Sequence, residues 1–233
     1  MRLALISDIH ANLNSLQQVL QRIRKERVDM VACLGDIVGY GPHPNECIDL
    51  VRQHCSIIIR GNHDAGAVGT VSSGEFNKEG KIAIEWTRTQ LSEENREFLK
   101  DLPMNAEADD VTFVHSSPED PEKWHYVAAW QHFQRVFDHF ATRFCCIGHT
   151  HIPAIVSPDH AVRGYVKGER HVINCGSVGQ PRDSDPRASF AILNTHNDFA
   201  EIIRVPYDIR KTADAIREAG LPEFLGKRLT FGI

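Results

Sequence analysis

Aspartate, histidine and asparagine recur in this 233-residue sequence in short groups, most of them led by glycine. They are Asp8-x-His10, Gly35-Asp36, Gly61-Asn62-His63-Asp64, a lone His115, and Gly148-His149-x-His151. Carboxylates, imidazoles and one amide oxygen are hard to borderline donors, which suit Mn²⁺, Fe, Zn²⁺, Ni²⁺ or Co²⁺ and disfavour a thiolate zinc site. Seven candidate metal ligands among them are too many for one ion. Two divalent transition-metal ions sharing Asp36, about 3.5–4 Å apart, accommodate them and form the clamp used for in-line displacement at phosphorus. Glycine immediately before Asp36, Asn62 and His149 allows positive φ and a close backbone approach to an ion.

For these groups to converge, the chain between them must deliver them to one place. Leu3 to Ile6 reads as a buried strand, Leu13, Leu16, Leu20 and Ile23 recur at helical spacing, and Met30 to Leu34 returns to strand. Pro44 at a first helical position opens a helix over Asn45 to Gln53, and Ser56 to Ile59 is a third strand. This βαβαβ start implies parallel strands with crossover helices. Glu75 to Leu102 is helical in pattern, with Ser92 placed as an internal N-cap and Pro103 as the stop.

Further strands are predicted at Val111 to Val114, Phe144 to Ile147, Ile152 to Val156, His171 to Asn174, Ser189 to Leu193 and Glu201 to Val205. A helix is predicted around Ala128 to Phe140, and Asp208 to Glu218 closes the chain as another. The later strands lack intervening helices, so antiparallel pairing is expected there. The polar groups all follow strand ends, and in an open α/β sheet the carboxyl ends of strands are where ligands bind. Five strands therefore deliver donors to one edge of a mixed α/β domain.

Composition bounds the rest. With 42% hydrophobic and 24% charged residues, the chain reads as one globular domain over residues 1–233. A net charge of −5 argues against bulk binding of a nucleic-acid backbone. No apolar run is long enough to span a bilayer or make a signal peptide, so no membrane association is expected. The six cysteines, Cys33, Cys47, Cys55, Cys145, Cys146 and Cys175, show no Cys-x-x-Cys spacing and sit mostly in apolar runs. They read as reduced core thiols of a cytoplasmic protein. Oligomeric state is left open, a homo-oligomer included.

In order and type, the donor motifs resemble those of the calcineurin-like metallophosphoesterases, and most closely the small bacterial and archaeal phosphodiesterase branch. The likeness runs through the whole chain, including Asp8-Ile9-His10-Ala11-Asn12 and Asn174-Cys175-Gly176-Ser177-Val178-Gly179-Gln180-Pro181-Arg182. It implies an α/β fold of two mixed β-sheets packed as a sandwich and flanked by helices. By the same resemblance one metal takes Asp8, His10, Asp36 and His151. The other takes Asp36, Asn62, His115 and His149, with Asp36 and a hydroxide bridging. His63 matches the family's non-ligand histidine near the leaving group, with Asp64 orienting its ring. The implied activity is hydrolysis of a small phosphoester, nucleotide-like in one reading, by in-line attack of the bridging hydroxide. His63 then donates to the departing oxygen or binds a phosphate oxygen.

The sequence departs from the family's protein phosphatases. There the shared aspartate is followed by an arginine that holds the phosphate; here the stretch is Asp36-Ile37-Val38-Gly39-Tyr40-Gly41. That loss argues against a protein phosphatase and favours a phosphodiesterase, with a phosphomonoesterase or a dinucleoside-polyphosphate hydrolase as the alternative. Arg182 could replace the lost charge, or else be salt-bridged beside Asp183 and Asp185. Tyr40, Trp124 and Tyr126 lie near the motif loops, where they either wall a substrate pocket or pack in the core. A non-catalytic interaction scaffold on the same fold is the remaining rival, and the intact donor set weighs against it.

Overall fold

The computed structural model describes residues 1–158 and 165–233. Its first half alternates strands and helices, β1 (Arg2–Ile6), α1 (Leu13–Ile23), β2 (Met30–Cys33), α2 (Pro44–His54) and β3 (Ile57–Ile58), followed by α3 (Asn62–Val68), α4 (Lys78–Gln90) and α5 (Glu93–Asp101). The second half runs β4 (Asn105–Ala108), β5 (Val111–Val114), α6 (Trp130–Phe137), β6 (Phe144–Ile147), β7 (Ala154–Val156), β8 (His171–Asn174), β9 (Ala188–Asn194), β10 (Phe199–Val205), α7 (Ile209–Glu218) and α8 (Glu223–Lys227). The helix starts follow capping chemistry: Asn12, Asn77, Ser92 and Asp208 each accept a backbone N–H of the first turn. Ser92 divides α4 from α5, and α5 ends two residues before Pro103.

The strands form two five-stranded mixed sheets, ordered β10-β9-β1-β2-β3 and β4-β5-β6-β8-β7. β1, β2 and β3 are parallel, as the βαβαβ start requires, and β9 returns antiparallel to β1. Strand periodicity then assigns the layers. In β1, Leu3 and Leu5 face the second sheet, against a core that includes Phe113, Phe144, Cys146 and Ile173. Ala4 and Ile6 face the opposite way, into a core with Leu16, Val19, Cys47 and Ile48 of α1 and α2. The outer face of the second sheet is covered by Phe133, Val136 and Phe137 of α6. The result is a sandwich of two sheets with helices outside, and its central strands are apolar on both faces. Among the described residues no helix is long and apolar enough to cross a membrane.

Three sequence expectations are corrected. β6 and β8 pair in parallel rather than antiparallel, because β7 is the edge strand and returns the chain to the starting end of the sheet. β4, α3 and α8 were not expected. β4 has only the alternating half-exposed pattern of an edge strand, Asn105-Ala106-Glu107-Ala108, and α3 opens with the Gly-Asn-His-Asp motif, whose composition favours a turn. The donor-bearing strand ends lie on two sheets rather than on one: β1, β2 and β3 belong to the first, β5 and β6 to the second.

Phe113 is fully buried in the inter-sheet core. Phe113→Ala is expected to lower the unfolding free energy by about 3–5 kcal/mol, seen as a lower urea midpoint with an unchanged slope.

Candidate metal centre

The loops after β1 and β2 run side by side beyond the strands. Asp8 N–H donates to Gly35 O at 3.0 Å, His10 N–H to Asp36 O at 3.0 Å and Ala11 N–H to Ile37 O at 2.9 Å. The donor-bearing loops have unusual backbone. Asp8, His10, Asp36, His149 and His151 all adopt φ between 50° and 65°, a region Asp, Asn and His tolerate best among non-glycine residues. Each such residue costs of order 1 kcal/mol, and such outliers cluster at functional sites.

The glycines act differently from expectation at two positions. Gly35 has φ +94°, but Gly61 sits at φ −96° and Gly148 is also outside the positive-φ set. What those two need is clearance: a Cβ on Gly61 meets Asp36 Oδ1 at 2.1 Å, and one on Gly148 meets Ser7 Oγ at 2.1 Å.

These loops gather two sets of donors. Asp8, His10, Asp36 and His151 offer one atom each within 4.8 Å of one another, and so do Asp36, His115 and His149; Asp36 is in both sets. Asn62 joins the second, with Oδ1 3.2 Å from His115 Nε2. Asp36 Oδ2 lies 3.7 Å from His10 Nε2 and 3.4 Å from His115 Nε2, so one carboxylate oxygen faces both sets. All seven residues singled out in the sequence are thus brought together, with Asp8, Asp36 and His115 exposed by 1% or less.

The proton positions within this cluster fit a cation. His10, His115 and His151 each donate Nδ1–H to a main-chain carbonyl, of Val38 at 3.1 Å, Leu34 at 2.7 Å and Gln180 at 2.6 Å. In the neutral rings of His10 and His151 Nε2 is then a lone pair aimed inward. His10 Nε2 and His151 Nε2 face each other at 3.1 Å, and Asp8 Oδ1 is 3.3 Å from the latter. Lone pairs so disposed repel unless a cation lies among them, and donors about 3 Å apart are what an ion bonded at about 2.1 Å gathers around itself. Asp8 Oδ1 and His149 Nε2 are buried with no hydrogen-bond partner, as metal-directed atoms are.

Burial also drives His10 and His151 well below the usual imidazole range and His149 down to about 3, so all three are neutral and ready to bind at pH 7. Burial works against charge at His115 too, but the Asp36 carboxylate outweighs it and lifts this ring to about 9. Burial raises Asp8 as well, and the neighbouring Asp36 adds to the rise. For Asp36 itself, burial is overcome by His115, His63 and His10, which hold its carboxyl far below the ordinary range.

The remaining predicted residues fall close by. His63, second in α3, gives its backbone N–H to Asp36 Oδ1 at 2.8 Å. Its ring lies 4.4 Å from Tyr40, 4.8 Å from His10 and 4.8 Å from Phe76, with Nδ1 buried and unpartnered. Asp64 does not orient that ring. Its carboxylate accepts from Ile37, Val38 and Gly61 N–H groups at 2.9–3.1 Å, because the tight loop after Asp36 leaves those donors otherwise unmet.

Arg182 is likewise not paired with its neighbours: Asp183 and Asp185 are taken by Arg204 and Arg187. Its guanidinium lies 6.0 Å over the Tyr40 ring and bonds Gln180 Oε1 at 2.9 Å. The carbonyls of Leu34, Val38 and Gln180 are the functional groups that motif reading missed, since main-chain acceptors leave no mark in residue type.

Known proteins place this arrangement in context. Residues 1–198 match the calcineurin-like phosphoesterase superfamily domain. An uncharacterized protein of Methanocaldococcus jannaschii is 41% identical over 240 residues, covering 99% of this chain and 98% of its own. The crystal structure of a metallophosphoesterase from Sphaerobacter thermophilus is 41% identical and superposes with a TM-score of 0.89, covering 100% of this chain and 99% of that one. A hypothetical protein of Pyrococcus horikoshii OT3, 21% identical, shares the fold with a TM-score of 0.83 over 100% of this chain and 98% of its own.

Because His115 is lifted to about 9 and must be neutral to bind a cation, metal uptake has to expel its proton. Calorimetric titration of the chelator-treated protein with Mn²⁺, in buffers of different ionisation enthalpy at pH 6.5, is expected to show proton release. Apparent affinity should rise with pH up to about 9.

Proposed function

The chain belongs to the calcineurin-like phosphoesterase superfamily, and on that premise we propose that it is a phosphodiesterase working with two divalent transition-metal ions. The observation that carries the reading is the position of Asp36, whose Oδ2 lies between His10 of one donor set and His115 of the other. Asp8, His10, Asp36 and His151 would hold one ion, and Asp36, Asn62, His115 and His149 the second. Oxygen and nitrogen donors with no thiolate fit Mn, Fe, Zn, Ni or Co. When bound, such a pair lowers the pKa of a shared water and neutralises charge on phosphate oxygens.

The chain's own residues do the rest. His63 is held by packing on three rings and by its backbone bond to Asp36, so its imidazole is fixed beside the donors. Burial lowers it to about 4, which makes it neutral in the resting protein. An anionic phosphate beside it favours the charged form, so the proton is recruited with the substrate and is in place for the departing oxygen. Arg182, with no carboxylate partner among the described residues, is the cation available to a phosphate oxygen, and Tyr40 beneath it sets its position. Asp64 acts by fixing the Asp36 loop through three backbone bonds.

The preference for a diester follows from charge. A monoester dianion carries one more negative charge than a diester and needs more cationic help, and no arginine follows Asp36 to supply it. The Mn²⁺-loaded protein is therefore expected to show a higher kcat/KM for an aryl phosphodiester than for the matching monoester. The reverse ranking with every metal tried would make it a phosphomonoesterase.

Two substitutions separate the roles. Asp36→Asn weakens the shared ligand, so elemental analysis should show metal content falling from two ions per chain along with activity. His63→Gln leaves every proposed ligand in place, so the metal should stay while kcat falls by about 10²–10⁴. The loss should be larger on alkyl than on nitrophenyl esters.

A further inference from the structure

Beside the donors lies a cleft of about 270 Å³ lined by four aromatic rings, Tyr40, Phe76, Trp124 and Tyr126, together with Asn62 and His149. Each ring is seated on a histidine of the centre: Tyr40 and Phe76 on His63 at 4.4 and 4.8 Å, Trp124 on His115 at 5.9 Å, and Tyr126 on His149 at 4.4 Å. We propose that this cleft is a base-binding subsite, so that the substrate is an ester of a nucleotide, with its base stacked on Trp124 and Tyr126 and its phosphate at the metal donors. The inference rests on the phosphate-binding reading of that centre.

Trp124 is placed at a cost. It follows a single 3-10 turn, Pro121–Lys123, and both Asp120 before the turn and Trp124 after it adopt left-handed backbone, with φ 46° and 51°. For a bulky aromatic residue this is an outlier; its N–H closes the turn on Pro121 O at 3.4 Å and its carbonyl accepts from the His149 ring, while the indole Nε1 is buried without a hydrogen-bond partner. Tyr126 remains 54% exposed although its ring is fixed against His149. A buried indole with an unpartnered Nε1 and a phenol ring held open to solvent thus line the same cleft, where a flat partner can meet both.

Aromatic faces next to a phosphate site suit a base, because every base has a π-face and stacking alone strengthens binding by about ten-fold or more. A sugar alone has no such face. An alkyl chain would leave the polar lining, Glu75 and Asn77, unmatched.

The test compares two probes that differ only by the base, adenosine 5′-monophosphate and ribose 5-phosphate, titrated into the Mn²⁺-loaded protein by calorimetry and tryptophan fluorescence. Adenosine 5′-monophosphate is expected to bind at least about ten-fold more tightly and to quench fluorescence. Trp124→Leu should abolish both the advantage and the quench while leaving metal content and ribose 5-phosphate affinity unchanged. Tyr126→Leu, at an exposed position that does not threaten folding, should remove part of the same advantage. Equal affinities of the two probes in the unaltered protein, or equal weakening of both by either substitution, overturns the base subsite. If neither probe binds, the phosphate-binding reading of the centre falls, and the subsite falls with it.

Discussion

The centre is organised around one buried carboxylate. Asp36 is almost completely buried, and a lone charged carboxylate there would be prohibitively expensive. It persists because Oδ1 accepts the His63 N–H while Oδ2 faces His10 and His115. Those contacts bind together the ends of β1, β2, β3 and β5, which come from both sheets. The clearance at Gly61, the three backbone bonds of Asp64 and the carbonyl-anchored rings all serve to keep that oxygen where two donor sets can share it.

Stability and function are separated in space. The apolar layers between the sheets and under the helices lie along the strands, while the strained residues sit just past the strand ends, at Asp8, His10, Asp36, His149 and His151. Close-packed strands hold the loop bases still, and the loops can therefore adopt left-handed conformations that would not survive in isolation. The donors are arranged before any ligand arrives, down to the tautomer of His10 and His151.

Residue type and spacing picked out the strand-end groups, because such side chains after apolar strands have few structural uses, and the family resemblance narrowed them to the seven that lie together here. The parallel start was legible from alternating strand and helix patterns, and the α4/α5 break from Ser92. What escaped was whatever depends on tertiary context. β4 is short and half-exposed, and its alternation sets only alanine against polar residues. The parallel β6/β8 pair depends on β7 moving to the edge, which no local pattern encodes. Asp64 and Arg182 have the right types in the right places, yet their partners are settled by which backbone donors or arginines lie nearby. The division of donors between two sheets was equally hidden, since a strand end reads the same on either.

That division has a mechanical consequence. Asp8, His10, Asp36 and Asn62 hang from the first sheet and His115, His149 and His151 from the second, so any cation held by both groups would act as a rivet through the seam of the sandwich. Like any cross-link between distant parts of a chain, it would disfavour partly opened states by restricting how far the halves can drift. A loaded molecule would then open as one cooperative body, whereas a stripped one could part along the seam.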